Sequence, residues 1–289
     1  MKIIQMFQWS LKSIIEVLPM VREQGFTHIQ ISPIQPTKED GTEFWLLYQP
    51  TDFSIGNTQI GSREELKKLC DKAHEIGLKI IADVVLRHVA GMNNGAIEPH
   101  EKVAGYIKSL PYLPKKNIDY GNRYSEITDS PGLPSLDYNN PLVRTVHCNL
   151  ISDLFITGVD GLRIDMGKHF ALPREGSDFW PWLSRICRKN GKLLYSEVIQ
   201  ASKELLDEYC EFTMVGTDGS PSDRNKMIAW VESHDDFLTW RKGVSMTDLM
   251  FLNEYIILCN NFPNTLFYAR PFHDLWMSDH IREINNFYK

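Results

Sequence analysis

The sequence predicts a (β/α)₈ TIM barrel with an inserted subdomain after the third strand and a vestigial sixth helix. Three observations predict it. Eight short apolar runs alternate with helical patterns along the chain. The length of 289 residues suits one large α/β domain with a modest insertion. Eight strands at this spacing also exceed what an open doubly wound sheet, the competing fold, usually needs.

The strands are predicted from short runs rich in β-branched and apolar residues that end at turn-forming residues. We expect them at 3–7, 28–31, 79–85, 160–164, 193–196, 212–215, 229–231 and 266–268.

The helices are predicted from apolar residues that recur every three or four positions. Ser62 and Glu65 have the spacing of a capping box, and Gly77 ends the helix that they begin. We expect helices at 11–24, 63–76, 142–155, 177–188, 202–209, 247–260 and 278–287.

Two segments depart from the strand–helix alternation. Residues 90–140 are rich in Gly, Pro, Asn and Tyr, so we expect a small inserted subdomain there, with the barrel at 1–89 and 141–289. The connection between the sixth and seventh predicted strands is short, at residues 216–227. Ser220 and Pro221 allow a helix of two turns at most, which predicts that the sixth helix is vestigial.

The composition is that of a globular protein and excludes several function classes. Hydrophobic residues make up 43% and charged residues 24% of the chain. The net charge of −6 argues against a nucleic-acid partner, and no apolar run is long enough for a membrane span. The five cysteines lack metal-site spacing, and the N-terminus does not resemble a signal peptide. We therefore expect a cytoplasmic protein with reduced thiols.

Ionisable residues follow four of the predicted strands, where barrel enzymes carry their active sites. A single carboxylate in such a place is more often a helix cap or a solvated charge. Three together, accompanied by an arginine and two histidines, are expected to converge on one cavity. The segments are DVVLRH (83–88), GLRIDMGKH (161–169), YSE (195–197) and WVESHDD (230–236).

Paired carboxylates in a cleft suit the cleavage of a glycosidic bond. One carboxylate must be ionised to attack or stabilise the sugar, and the other must hold a proton for the leaving oxygen. Arg163 lies two residues from Asp165, so strand alternation points both side chains into the barrel. The guanidinium would keep Asp165 ionised.

The four segments resemble, in order, the four signature regions of the alpha-amylase family, glycoside hydrolase family 13. LPSLD (133–137) resembles the family's leucine-proline motif, and WLLYQP (45–50) resembles a segment of animal and bacterial saccharifying amylases. LFYARP (266–271) resembles the same bacterial group. Most members carry a C-terminal β-sandwich, and we expect none here because the sequence ends after the eighth helix.

The resemblance implies catalytic roles for three residues: Asp165 as the nucleophile, Glu197 as the general acid/base and Asp235 as the third carboxylate. Asp83 is expected to support Arg163, and Asp236, outside the motif, is interpreted as a surface charge. The implied substrate-binding residues are Tyr48, Gln49, Trp45, His88, Arg163, Lys168, His169 and His234.

Within that set, the two histidines His88 and His234 are expected to donate hydrogen bonds to sugar hydroxyls. Tyr48 is expected to stack on the sugar at the cleavage point, because aromatic faces suit the apolar faces of sugar rings. Trp45 is expected to stack on a sugar further along, with packing within its loop as the alternative.

The implied activity is retaining hydrolysis of α-1,4-glucosidic bonds in starch, glycogen or maltooligosaccharides. Two alternatives stay open: an α-glucosidase or glucanotransferase, and a weakly active member that acts as a glucan-binding protein. The sequence indicates no oligomeric state.

The resemblance also implies a structural calcium ion in most members, but two ligand positions differ here. Arg87 and Ser135 stand where the family has an asparagine and an aspartate. A hard cation prefers several oxygen ligands, and an arginine would repel it. We therefore expect no metal and no cofactor, with the Arg87 guanidinium in place of calcium. The alternative is that Arg87 points into solvent while calcium uses other oxygens.

Overall fold

The computed structural model describes residues 1–39, 41, 43–240 and 246–288, with the side chain of Trp240 excepted. Eight parallel strands close into a barrel in chain order, β1 to β8, with β8 pairing β1. This confirms the predicted fold class. The strands are β1 Lys2–Met6, β2 His28–Ile31, β3 Lys79–Val84, β4 Gly161–Ile164, β5 Leu193–Glu197, β6 Met214–Gly216, β7 Met227–Trp230 and β8 Thr265–Tyr268.

Nine α-helices accompany the strands within the described residues. They are α1 Leu11–Glu23, α2 Arg63–Glu75, α3 Gly105–Lys108, α4 Arg123–Thr128, α5 Pro141–Thr157, α6 Phe179–Lys189, α7 Lys203–Tyr209, α8 Asp248–Asn261 and α9 Asp279–Phe287. The predicted capping box of α2 is present, with Ser62 and Glu65 each accepting from the other's backbone N–H. Within the described residues, no helix is long and apolar enough to cross a membrane.

The strand register places the ionisable residues at one level of the barrel. Asp83 on β3 lies beside Arg163 on β4, and Arg163 lies beside Tyr195 on β5. Side chains at paired positions of parallel strands point to the same face. All three therefore enter the barrel interior. Below them, Ile81 belongs to an apolar cluster that fills the lower barrel.

The sixth strand–helix unit is short, as the sequence predicts. Residues 217–226 form only a 3₁₀ turn, Arg224–Lys226, so Ser220 and Pro221 begin no α-helix. Strand β6 starts at Met214 rather than at 212, because the backbone N–H of Phe212 still donates to the Tyr209 carbonyl at the end of α7. Strand β7 starts two residues earlier than predicted, at Met227.

The segment between β3 and α5 contains the two shortest helices, α3 and α4, and several isolated bridges. One bridge joins His88 to Ser135 and another joins Tyr112 to Leu136, so the far end of the segment returns to the top of β3. This arrangement fits an inserted subdomain. The boundary at 90–140 stays a prediction.

Candidate active site

One guanidinium contacts three carboxylates at the carboxyl end of the barrel. Arg163 Nη1 lies 2.8 Å from Asp83 Oδ1 and 3.0 Å from Asp165 Oδ1, and Nη2 lies 2.6 Å from Glu197 Oε1. The arginine is buried. A single positive charge is therefore shared by three acids, on β3, directly after β4 and on β5. This brings together the two residues expected to be the nucleophile and the acid/base.

These surroundings raise the pKa values of three aspartates. Burial raises the pKa of Asp83 to about 6, against the opposing effect of Arg163. Burial also raises the pKa of Asp165 well above its ordinary range; Arg163 opposes this, and the neighbouring carboxylates of Glu197 and Asp83 add to it. The pKa of Asp235 is raised by burial too, with Arg163 opposing. The acids therefore compete for one cation and tend to keep a proton among them.

Glu197 is positioned by backbone as well as by charge. The backbone N–H of Met166 donates to Glu197 Oε2 at 3.0 Å. Met166 has a φ of 50°, a left-handed conformation that a non-glycine residue adopts only when its surroundings require it. A Cβ on the next residue, Gly167, would lie 2.6 Å from Ser196 Cβ. The loop after β4 thus comes close to β5 only because glycine follows Met166.

A chain of hydrogen bonds extends from the barrel floor to the carboxylates. Gln5 Nε2 lies 2.9 Å from His234 Nδ1, and His234 Nε2 lies 2.8 Å from the Tyr48 hydroxyl. The hydroxyl donates to Asp83 Oδ2 at 2.9 Å. If the Gln5 amide donates to Nδ1, the neutral ring carries its proton on Nε2 and donates it to Tyr48. Gln5 therefore sets the His234 tautomer on which this series of hydrogen bonds depends.

The two motif histidines are neutral, because burial lowers the pKa of His88 to about 4 and that of His234 to about 3. His88 Nε2 donates to the Tyr48 carbonyl at 2.8 Å, which leaves Nδ1 as an acceptor. Both His234 ring nitrogens are engaged with protein groups. Their donation to sugar hydroxyls stays a prediction, and the His88 geometry offers an acceptor instead.

Beside the carboxylates lies an open cleft of about 700 Å³, which the barrel and the inserted subdomain line together. Trp45 is half exposed at its edge, with 49% of its surface accessible, so its ring is available for stacking. Tyr48 has Phe7 stacked on it at 5.9 Å. The predicted residues that line the cleft are Trp45, Tyr48, Gln49, His88, Asp165, Lys168, His169, Glu197 and Asp235.

Lys168 and His169 line the cleft but are held by the inserted subdomain. Lys168 Nζ lies 3.0 Å from Glu126 Oε1 on α4, and His169 Nδ1 lies 3.1 Å from the Glu126 carbonyl. Burial lowers the pKa of His169 to about 3, so it is neutral. These contacts hold the inserted subdomain against the loop after β4. The contact of Lys168 and His169 with a sugar stays a prediction.

Asp236 corrects one interpretation from the sequence. It is not a free surface charge, because its Oδ2 accepts from the Trp230 indole N–H at 3.0 Å and from the Ser233 backbone N–H at 2.8 Å. It therefore fixes the loop that carries Asp235.

Sequence reasoning missed Gln5, the Met166–Gly167 turn and Glu126. Gln5 is a polar residue inside an apolar strand, which is the one local signal that pointed to it. Its partner His234 is 229 positions away, and no spacing rule predicts that contact.

Comparisons with known proteins point to one family. The alpha-amylase catalytic-domain model matches residues 9–240. The alpha-amylase of Clostridium acetobutylicum is 28% identical over 98% of this chain and 42% of that protein. The alpha-amylase of Butyrivibrio fibrisolvens is 25% identical over 93% of this chain and 34% of that protein. The chain thus spans less than half the length of these two relatives.

Solved structures share the fold at lower sequence identity. The alpha-amylase of Geobacillus thermoleovorans, crystallised with acarbose, superposes with a TM-score of 0.79 at 18% identity, over 99% of this chain and 78% of that chain. An alpha-amylase from Malbranchea cinnamomea superposes with a TM-score of 0.76 at 21% identity, over 99% of this chain and 76% of that chain. With the family model matching most of its length, this chain belongs to the alpha-amylase family.

Proposed function

We propose that the protein hydrolyses α-1,4-glucosidic bonds in starch, glycogen or maltooligosaccharides with retention at the anomeric carbon. The observation that carries the proposal is the Arg163 guanidinium shared by Asp83, Asp165 and Glu197 beside an open cleft. This arrangement supplies an oriented carboxylate and a proton within one site. The relatives named alpha-amylase support the α-glucan as substrate.

In the proposed reaction, Asp165 attacks the anomeric carbon and forms a glycosyl ester while Glu197 gives its proton to the leaving glycosidic oxygen. Glu197 then takes a proton from water, and the resulting hydroxide displaces Asp165 to release the sugar. Arg163 balances the charge on Asp165 before attack. In this proposal Asp235, whose side chain is 40% exposed, accepts hydrogen bonds from sugar hydroxyls.

The first test replaces Asp165 with Asn, which keeps the shape but removes the nucleophile. We expect turnover of maltohexaose to fall by at least about 10⁴-fold, since a neutral amide cannot form the ester. Product chain lengths are followed by chromatography and the first-formed anomer by NMR. A D165N protein with near-normal turnover would contradict the assignment, and a first product of β-configuration would contradict retention.

The same assay separates the alternatives. Internal cleavage products indicate an endo-acting amylase, release of single glucose units an α-glucosidase, and products longer than the substrate a glucanotransferase. Binding of maltohexaose without cleavage by the unaltered protein indicates a glucan-binding protein and would overturn the proposal.

We also propose that Arg87 takes the place of the structural calcium found in most family members. The Arg87 side chain is fully buried rather than in solvent, and its Nη2 donates to the carbonyls of Ile127 at 3.3 Å and Asp129 at 2.9 Å. Its guanidinium lies 5.0 Å from the centre of the Tyr138 ring. Burial lowers the pKa of Arg87 to about 10, so it stays charged at neutral pH.

These contacts do not fit a divalent cation at the same place. The carbonyls that would face the cation already accept from Arg87, and Ser135 Oγ donates to the Leu133 carbonyl at 3.4 Å. Across the described residues, no group of three or more His, Cys, Asp or Glu is arranged to hold a metal ion. The guanidinium thus joins the barrel to the subdomain by hydrogen bonds.

A further inference from the structure

A buried ion pair joins the carboxyl ends of β7 and β8. Glu232 and Arg270 each lie two positions after the last residue of their strand. The Arg270 Nε donates to the Glu232 carboxylate, which is fully buried, and Arg270 itself is 4% exposed. The pair therefore lies in the interior, at the level where the strands give way to the loops of the active site.

The Arg270 guanidinium has further contacts besides this carboxylate. Its central carbon lies 5.6 Å from the centre of the Phe237 ring and 5.1 Å from the centre of the Phe251 ring on α8. Its Nη1 donates to the Met246 carbonyl, just before α8, at 3.4 Å. A planar guanidinium can donate hydrogen bonds at its edge while aromatic rings lie near its faces, and a lysine ammonium cannot do both.

These contacts lie on both sides of Asp235 in the chain. Glu232 is three positions before Asp235, and Phe237 is two positions after it. The backbone N–H of Phe237 donates to the Ser233 carbonyl at 3.1 Å, so the segment between the two contacts is a closed turn. Arg270 thus holds both ends of the turn that presents Asp235 to the cleft.

The geometry of the pair is better explained by position than by charge or stability. The Glu232 carboxylate balances the Arg270 guanidinium, so together they add no net charge beside the site. Apolar groups of similar volume often replace a buried ion pair without loss of stability. What apolar groups cannot reproduce is the directed hydrogen bond that fixes Glu232 relative to β8.

We propose that Arg270 is a positioning residue for Asp235. By holding Glu232 and Phe237, it places the Asp235 carboxylate where hydroxyls of the sugar at the cleavage point meet it. The inference rests on the proposed function for the role of Asp235, and it adds a residue that acts on the sugar only through that carboxylate.

The test measures binding without cleavage. Arg270 and Glu232 are both replaced by Met, because removing Arg270 alone would leave a buried, unpaired carboxylate. Maltohexaose is titrated by calorimetry into the D165N protein with and without R270M/E232M. We expect affinity to fall about tenfold, as for the loss of a hydrogen bond to a charged group.

A double-mutant cycle with Asp235 separates positioning from a general structural effect. D235N in the same background should lower affinity by a similar factor. The protein that carries D235N together with R270M/E232M should lose little more than either change alone, because both remove one contact. Arg270→Lys is a second variant: it keeps a cation for Glu232 but lacks the guanidinium plane, so we expect a loss in the same direction.

The control is R63M/D153M, which removes an ion pair between α2 and α5 with Arg63 Nε 2.9 Å from Asp153 Oδ1. It should leave affinity unchanged. Unchanged affinity in both R270M/E232M and R270K, or losses that add fully with D235N, would overturn the role of Arg270. Cleavage of maltohexaose by the unaltered protein is scored separately, so failure of the proposed activity is distinguishable from failure of this inference.

Discussion

Arg163 determines how the site acids share charge, because one guanidinium meets Asp83, Asp165 and Glu197. Two of these acids, Asp83 and Asp165, have pKa values raised by burial. An acid with a raised pKa keeps its proton to a higher pH. Because interacting acids titrate as a group, the pH profile of activity should report apparent pKa values that belong to the cluster of carboxylates rather than to one residue.

We therefore predict that the rising limb of the kcat/KM profile lies at higher pH than the ordinary aspartate pKa of about 4, because burial raises the pKa values of Asp83 and Asp165. Below this limb Asp165 is protonated and cannot attack. The buried histidines titrate at about 3 to 4 and should add no step above pH 5. The measurement is kcat/KM for maltohexaose from pH 4 to 8.

Asp83→Asn supplies the comparison for this profile. It removes one negative charge that raises the pKa of Asp165, so the limb should move to lower pH even if the maximal rate falls. If the rising limb of kcat/KM lies near pH 4 in the unaltered protein and does not move in D83N, the carboxylate cluster does not control the pH profile.

Gln5 is expected to act as a positioning residue, since it reaches the carboxylates only through His234 and Tyr48. Replacing Gln5 with Leu removes the donor to His234 Nδ1, so the His234 ring is no longer held in one tautomer. We expect kcat to fall about tenfold, the worth of one buried hydrogen bond, with little change in KM.

Gln5→Glu tests the same role by a different route. A carboxylate beside Nδ1 would raise the pKa of His234 and add a new step to the pH profile. Gln24→Leu is the control, because Gln24 is a buried glutamine whose amide donates to the Met277 carbonyl away from the site. Equal losses in Q5L and Q24L would indicate general destabilisation.

At the scale of the elements, local signals predicted most of the barrel and tertiary contacts decided the rest. The Ser62–Glu65 capping box predicted the start of α2, because both partners lie within one turn. The start of β6 at Met214 rather than at 212 depends on hydrogen bonds that the local pattern does not encode. Motif spacing predicted the three carboxylates, but not the backbone that holds Glu197.

The turn after β4 gives the prediction at this scale. Gly167→Ala would place a Cβ 2.6 Å from Ser196 Cβ and 2.8 Å from the Glu197 carbonyl oxygen, so β5 and the loop must separate. Glu197 would lose its contact with the Met166 N–H. A displacement of about 1 Å at a reacting group costs on the order of a hundredfold in rate, so we expect kcat to fall by about that factor.

Gly105→Ala is the matched control for this turn, because a Cβ at Gly105 meets open space. Steady-state rates and melting temperatures of the two variants are compared. A G167A protein with normal kcat would show that the close approach of the loop does not position Glu197.

At the scale of the whole molecule, the contacts between barrel and subdomain shape the cleft. Arg123 on α4 binds Glu175 through two bonds of 2.8 and 2.9 Å and donates to the Tyr209 hydroxyl at 2.9 Å. With the Lys168–Glu126 ion pair, this fastens the subdomain to the loops after β4 and to α7. The cleft wall therefore depends on an interface in which Arg87 is the most deeply buried charge.

The last prediction concerns that charge. If Arg87 replaces calcium, the melting temperature of the parent should not change in EDTA or in millimolar CaCl₂. Arg87→Met should lower stability by about 2 kcal/mol, or roughly 5 °C, since two carbonyls lose a charged donor. The double variant R87N/S135D restores the family's ligand types and should gain a calcium-dependent rise in melting temperature. A parent that loses several degrees in EDTA and regains them with calcium would contradict the replacement.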